Sequence, residues 1–221
     1  TIIYTSGTTG FPKGVMLSHE NILVNISAIV KSIGLTSRDV AVNWMPLYHD
    51  MGLIGFHFTP VLAGVRQYFL NPSDFVKNPF LWLDTMSEYG CTITACPNFG
   101  QTLVNRRMAR RTGKNWDLSP LRIIFNGAEP IAPGTMRTFM ESLEPYGLAP
   151  EAMFPAYGLA EATLAVSLPD PGLRPECRPF DRSSLTLEGI AIPARAESPG
   201  TVELVGVGAP VNGCEVIVAD N

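Results

Sequence analysis

Apolar residues recur along this chain with two alternating periods. Ile22, Ile26, Ile29, Val30 and Ile33 share one face of a 3.6-residue repeat. They predict a helix over residues 19–33, capped by Ser18 and closed by Gly34. Residues 40–45 form an apolar run ended by Pro46, the pattern of a buried strand. Residues 51–63 read as helix despite Gly52 and Gly55, and residues 65–70 as a strand. Pro79 and Gly90 bracket a helix that reaches Tyr89. A strand over 91–96, a helix through Gln101 to Arg111, a strand over 121–125, a helix over 133–143 and a strand over 153–156 continue the series. Strands alternating with helices predict an α/β fold on a mainly parallel sheet with flanking helices. The pattern fades after Leu168. Residues 169–200 are polar and rich in proline and predict a surface excursion, after which residues 201–207 and 214–219 are again β-prone.

Composition narrows the class. With 221 residues, 46% hydrophobic and 16% charged, the chain can bury a substantial core. Its net charge of −4 argues against a dedicated nucleic-acid binder. Arg106, Arg107, Arg110 and Arg111 form a basic cluster, readable as a solvated helix face or as a docking patch for an acidic partner. The four cysteines lack C-x-x-C spacing and, with three scattered histidines, suggest no zinc site. Reduced thiols in a cytoplasmic protein are the simple expectation. No stretch of about 18 apolar residues predicts a membrane span. The sequence opens without Met on an apolar run and stops after an apparent strand, so it reads as part of a longer chain.

The chemistry collects where predicted strands end. Residues 2–4 open into Thr5, Ser6, Gly7, Thr8, Thr9 and Gly10, followed by Lys13 and Gly14. Glycines let backbone N–H groups approach an anion, hydroxyls donate to phosphate oxygens, and Lys13 adds a point charge. The Walker spacing fails, because Lys13 follows Pro12 and precedes Gly14. A flexible surface turn is the competing reading. Three more strand ends carry polar loops: His49 with Asp50; Asn126, Gly127, Ala128 and Glu129; and Tyr157, Gly158, Leu159, Ala160 and Glu161. In open α/β sheets, ligands bind beyond the carboxyl ends of the strands. Tyr157 can stack on a base or sit half-buried in the core. Glu161 can bind Mg²⁺ or serve as a first-turn carboxylate. Glu129 can face a heterocycle or cap a turn. His49 and Asp50 can do acid–base work or form a structural hydrogen bond.

Taken together these stretches carry a resemblance. YTSGTTGFPKGVMLSHENIL resembles the phosphate-loop signature of the adenylate-forming superfamily. NWMPLYHDMGLIG, FNGAEPIAPGTMRTF and FPAYGLAEATLAVSLP resemble one branch more narrowly, the fatty acyl-AMP ligases. FDRSSLTLEGIAIPA lies where that branch carries an insertion, which assigns residues 169–200 to it and residues 1–221 to part of an AMP-binding domain. The resemblance implies the large N-terminal domain of such an enzyme, without the small C-terminal one. It implies ATP-dependent activation of a fatty acid to an acyl-adenylate with release of pyrophosphate. Transfer follows, to the phosphopantetheine thiol of an acyl carrier protein or polyketide synthase. Thr5, Ser6, Gly7, Thr8, Thr9 and Lys13 would embrace the pyrophosphate end of ATP. Asn126, Gly127, Ala128 and Glu129 would line the adenine, on which Tyr157 stacks, beside Gly158, Leu159 and Ala160. Glu161 would bind Mg²⁺, with His49 and Asp50 near the acyl–phosphate junction. The acyl tunnel would be walled by residues 51–58 and 98–103. The wider superfamily usually has Thr where this chain has Ala160, and Thr163 or a backbone N–H is expected to compensate. Residues that the resemblance requires for ribose binding and C-terminal catalysis fall beyond Asn221, so these residues alone are expected to be inactive. The alternatives are an acyl-CoA synthetase of the same fold and a non-catalytic adenylation module.

Overall fold

The computed structural model describes residues 1–4, 11–110, 113–196 and 198–219. A short antiparallel hairpin, β1 (Ile2–Tyr4) with β2 (Gly14–Met16), pairs Ile3 with Val15. Ser18 then starts α1 (His19–Ile33) through a capping box. The Asn21 N–H donates to Ser18 Oγ at 3.0 Å, and the Ser18 N–H donates to Asn21 Oδ1 at 3.0 Å. Gly34 ends the helix at φ 58°, a conformation costly for any residue with a Cβ.

The chain continues through β3 (Val40–Asn43), a π-helix (Met51–Phe58) running into α2 (Thr59–Leu62), and β4 (Arg66–Phe69). Next come α3 (Pro72–Lys77), α4 (Phe80–Tyr89), β5 (Ile93–Ala95) and α5 (Asn98–Met108). β6 (Ile123–Asn126), α6 (Pro133–Leu143) and β7 (Met153–Pro155) complete the series. The five strands from β3 to β7 form one parallel sheet in the order β4-β3-β5-β6-β7. The expected fold class is therefore present, with strand ends trimmed by a residue or two.

Alternation along the strands assigns the two faces of the sheet. Val42 and Thr94 turn toward α4, where Trp82 Nε1 donates to Thr94 Oγ1 at 3.0 Å and that hydroxyl donates to Val42 O at 3.1 Å. Trp82 packs against Phe75 and Phe139 of α3 and α6, all three fully buried. Ala41, Ile93 and Phe125 face the opposite way, toward α1 and the π-helix. The amino edge of the sheet is sealed by charge. Asp39, Thr92 and Arg122 each precede a strand. Arg122 donates to Asp39 from Nε at 2.8 Å and from Nη2 at 3.0 Å, and the Thr92 hydroxyl donates to Asp39 at 2.8 Å. Burial pushes the Asp39 carboxyl up. Bonds from Arg122, the Thr36 N–H and Thr92 outweigh it and hold the group below its ordinary range.

After β7 the chain forms a small antiparallel sheet, β8 (Tyr157–Gly158) and β9 (Ala165–Leu168), joined later by β12 (Ala209–Pro210). The stretch 169–200, expected as a surface excursion, holds more order than its composition suggests. β10 (Cys177–Asp181) pairs in full register with β11 (Thr201–Val205), and a short π-helical turn, Ser184–Glu188, sits between them. The bidentate pair of Arg137 with Glu203, 3.0 and 2.7 Å, ties this hairpin to α6. Residues 214–219, expected as a strand, form none. Val216, Ile217 and Val218 stay exposed, because no neighbouring strand among the described residues supplies a ladder.

Candidate active site

A cavity of about 660 Å³ lies between the sheet, α1 and the π-helix. Its depth is apolar, walled by Ile29 and Ile33 of α1, Ala41, Met51, Phe56, Val65, Ile93, Phe125 and Leu168. Its mouth is polar, formed by Lys13, His49, Asp50, Tyr157 and Glu161, with Ala128, Gly158, Leu159 and Ala160 beside them. Lys13, Ala128, Tyr157 and Glu161 are solvent-exposed. One cavity thus joins a hydrophobic depth to a rim holding one ammonium and two carboxylates.

The local structure explains how each group is held. The Met51 N–H donates to Asp50 Oδ1 at 2.7 Å, so Asp50 caps the π-helix. His49 Nδ1 lies 2.7 Å from the same oxygen. The Met51 N–H also donates to His49 Nδ1 at 3.1 Å, so one amide ties the imidazole and the carboxylate together. The π-helix itself widens the backbone and is closed by the Thr59 hydroxyl, which donates to Ile54 O at 2.7 Å. Tyr157 opens β8, and Glu161 stands on the turn between β8 and β9. There a Cβ on residue 158 would lie 1.9 Å from Leu164 O, so only glycine lets the two strands close. Among the described residues, two hold positive φ without being glycine, Ala128 (φ 70°) at the mouth and Thr163 (φ 75°, ψ −58°). Strain of this kind persists where the surroundings over-determine it, and clusters at functional sites.

Several expected site residues stand elsewhere. Thr5, Ser6, Gly7, Thr8 and Thr9 lie outside the described residues. Phe125 faces the cavity, so its neighbour Asn126 points to the other side of the sheet, where both side-chain amide atoms are buried without a hydrogen-bond partner. Gly127 is buried against Ala156 O, and a Cβ there would come within 2.6 Å of it. Glu129 accepts from the Phe99 N–H at 3.4 Å and serves as a cap for α5, which has no other side-chain cap. Thr163 lines a hollow of about 400 Å³ with Glu20, Asn25 and Asn212, and Glu161 lines both this hollow and the cavity. Residues 98–103, expected to wall the tunnel, lie on α5 across the sheet. Phe99 packs edge-on against Trp44 there, and Gly100 touches Trp44 and Cys96. Ile29, Ile33 and Leu168 line the cavity, together with Met51, Gly55 and Phe56 of the expected residues 51–58. The first two showed in the sequence only as core positions of a helix.

The donor set also bears on cofactors. Among the described residues no three His, Cys, Asp or Glu side chains gather as a metal site. Single carboxylates at a cavity mouth suit a Mg²⁺ that arrives bound to phosphates and keeps its waters, more than a resident ion. Cys91 and Cys96 are buried, and burial pushes Cys91 up to about 12 and Cys96 well above its ordinary value. No helix among the described residues is long and apolar enough to cross a membrane.

Comparison with known proteins gives concordant findings. The family model for the AMP-binding enzyme matches residues 1–221. The medium-chain-fatty-acid–[acyl-carrier-protein] ligase JamA of Moorena producens is 37% identical over 98% of this chain, which spans 37% of it. The long-chain-fatty-acid–AMP ligase FadD26 of Mycobacterium marinum is 37% identical over 94% of this chain, which spans 36% of it. The crystal structure of a fatty acyl-adenylate ligase from Legionella pneumophila, in complex with acyl adenylate and pyrophosphate, superposes with a TM-score of 0.87. It is 36% identical over 95% of this chain and 37% of that one. The chain therefore spans little more than a third of the length of these relatives.

Proposed function

The chain belongs to the AMP-binding enzyme family, and within it we propose that the protein activates a fatty acid with ATP. The observation that carries this reading is the single cavity with an apolar depth and a charged mouth. An alkyl chain gains about 0.8 kcal/mol per buried CH₂ in such a depth, which leaves its carboxylate at the rim. The fatty-acid names of the relatives point the same way.

The reaction joins two anions. A carboxylate oxygen attacks the α-phosphorus of ATP, the bond from that phosphorus to the bridging oxygen of the β-phosphate breaks, and pyrophosphate leaves. No side-chain nucleophile is required, so the protein's task is positioning and charge neutralisation. Lys13 sets positive charge at the mouth, and Tyr157 offers a ring to the base. His49, oriented by Asp50, presents an imidazole to the carboxylate end of the acid. Glu161 would hold the phosphate-borne Mg²⁺, which would supply positive charge beside the leaving pyrophosphate. Ala128 and Gly158 keep the backbone close to the nucleotide. The acyl group then passes to the thiol of a phosphopantetheine arm on an acyl carrier protein or polyketide synthase; a thioester forms and AMP leaves. β10 and the π-helical turn after it belong to the branch-specific insertion, residues 169–200, in this reading.

The test uses the full-length protein with ATP, Mg²⁺ and fatty acids of graded length. It follows acyl-AMP and thioesters by mass spectrometry, with free coenzyme A or with a phosphopantetheinylated carrier protein. Acyl-AMP that persists with coenzyme A and is consumed by the carrier supports the reading. Rapid conversion to acyl-CoA would place the protein among the synthetases, and absence of any adenylate would refute fatty-acid activation.

A further inference from the structure

We propose that Asn25 is a positioning residue that holds Glu161 at the cavity mouth. The inference rests on the reading of Glu161 given above and adds a residue to it. Glu161 sits on a tight turn. The Leu159 N–H donates to Leu164 O at 3.0 Å, the Ala162 N–H to Leu159 O at 3.1 Å, and the Thr163 N–H to Ala160 O at 2.9 Å. The turn pivots on Thr163, whose φ of 75° and ψ of −58° are strained for a β-branched residue. Bonds internal to the turn do not fix its attitude to the rest of the fold.

Asn25 does. It reaches across from α1, 137 to 140 residues away in sequence. Its Nδ2 donates to Ala165 O at 2.8 Å and to Ala162 O at 3.4 Å, and its Oδ1 accepts from the Ala165 N–H at 3.0 Å. One amide therefore grips the chain on both sides of Thr163. Ala165 is also the residue paired with Gly158, so the clamp reaches the strand carrying Tyr157. α1 begins six residues after Lys13, joined to it through β2 and the Ser18 cap. One helix thus carries the chain from Lys13 at one end and the clamp on the Glu161 turn in its second turn. Asn25 sets the separation between the ammonium and the carboxylate that the proposed reaction places around the phosphates. An amide is the side chain suited to the task, because it offers an acceptor to the N–H and a donor to the C=O of one residue.

The test compares wild type with Asn25→Ala, Asn25→Asp, Glu161→Gln and the double variant Asn25→Ala/Glu161→Gln in the full-length protein. Two readouts are used: amide hydrogen exchange across residues 159–165, and the Mg²⁺ concentration at half-maximal acyl-adenylate formation. Asn25→Ala is expected to speed exchange in that segment about tenfold or more and to raise the Mg²⁺ requirement about fivefold or more, with a smaller fall in rate at saturating Mg²⁺. Asn25→Asp keeps the acceptor for Ala165 N–H, loses both donors, and should fall between; it decides the question if the alanine variant does not fold. In the double variant Asn25→Ala should add nothing to the Mg²⁺ requirement of Glu161→Gln, since coupled residues are not additive. Unchanged exchange in Asn25→Ala, or full additivity with Glu161→Gln, would overturn the inference. If Glu161→Gln alone leaves the Mg²⁺ requirement unmoved, the assignment of Glu161 fails, while the exchange measurement still decides whether Asn25 holds the turn.

Discussion

The two ends of the parallel sheet are built on opposite principles. At the amino edge Asp39, Thr92 and Arg122 form a closed network in which the buried carboxylate accepts from a guanidinium, a hydroxyl and a backbone N–H. Asp39, Thr92 and Arg122 hold no left-handed backbone. At the carboxyl edge the chain accepts left-handed backbone at Ala128 and Thr163, glycine-only contact at Gly158, and a cavity of about 660 Å³. The first edge holds the strands in register. The second spends part of that stability on keeping charged groups and an apolar depth open to a ligand, the usual cost of a preorganised site.

Substitutions at each edge should break this contrast in different ways. The largest effect is expected from Gly158→Ala. The added Cβ would meet Leu164 O, so the turn must open. Stability should drop by about 3 kcal/mol or more, with loss of adenylate formation, checked by thermal melting and product analysis. Arg122→Ala at the opposite edge leaves Asp39 buried without its cation and should cost about 3 kcal/mol in denaturant titration. Activity per folded molecule should be retained. The pH dependence has a defined sign. The Asp39 carboxyl is depressed in the fold, so its contribution is complete above its unfolded value and fades as pH falls through the lower folded value. In the variant the bonds from Thr36 and Thr92 remain, but without Arg122 less offsets the burial that favours the protonated form. The stability gap between the two proteins should therefore narrow below about pH 4.

A smaller effect, confined to specificity, is expected at the cavity. Gly55 lines it, and a Cβ there would lie 3.1 Å from Leu164 Cδ2. Gly55→Val should narrow the depth and lower activity on the longest accepted acid by about tenfold or more, while shorter acids are spared in a chain-length series. The smallest effect is expected from Ala128→Gly. Relief of the positive φ should raise stability by up to about 1 kcal/mol in a denaturant titration, with weaker nucleotide binding as the turn loses its preset shape.

These contrasts explain what the sequence made legible. Caps, breakers and periodicity are local, so Ser18, Gly34 and Gly90 mark element ends where the structure has them, and alternating strands and helices give the parallel sheet. The convergence of polar loops at the carboxyl edge was legible for the same reason. Which side of a strand end a residue takes was not. Asn126 and Glu129 belong to the same polar loop as Ala128, yet alternation turns the first across the sheet and a free helix N-terminus draws the second away. Partners distant in sequence were invisible as well. Arg122 meets Asp39 across 83 residues and Asn25 meets Ala165 across 140. The order in 169–200 depends on β11 as a partner and on Arg137, neither of which the composition of that stretch reveals.

The most direct test of the account is acyl-adenylate formation by the full-length protein with ATP, Mg²⁺ and fatty acids, run beside Glu161→Gln and Arg122→Lys. The account predicts acyl-AMP and pyrophosphate in equal amounts from wild type. Glu161→Gln should lose product at an unchanged melting temperature, whereas Arg122→Lys should melt earlier yet keep its activity per folded molecule. Absence of adenylate from wild type, or full activity in Glu161→Gln, would contradict the claim that the carboxyl edge of the sheet is an adenylation site.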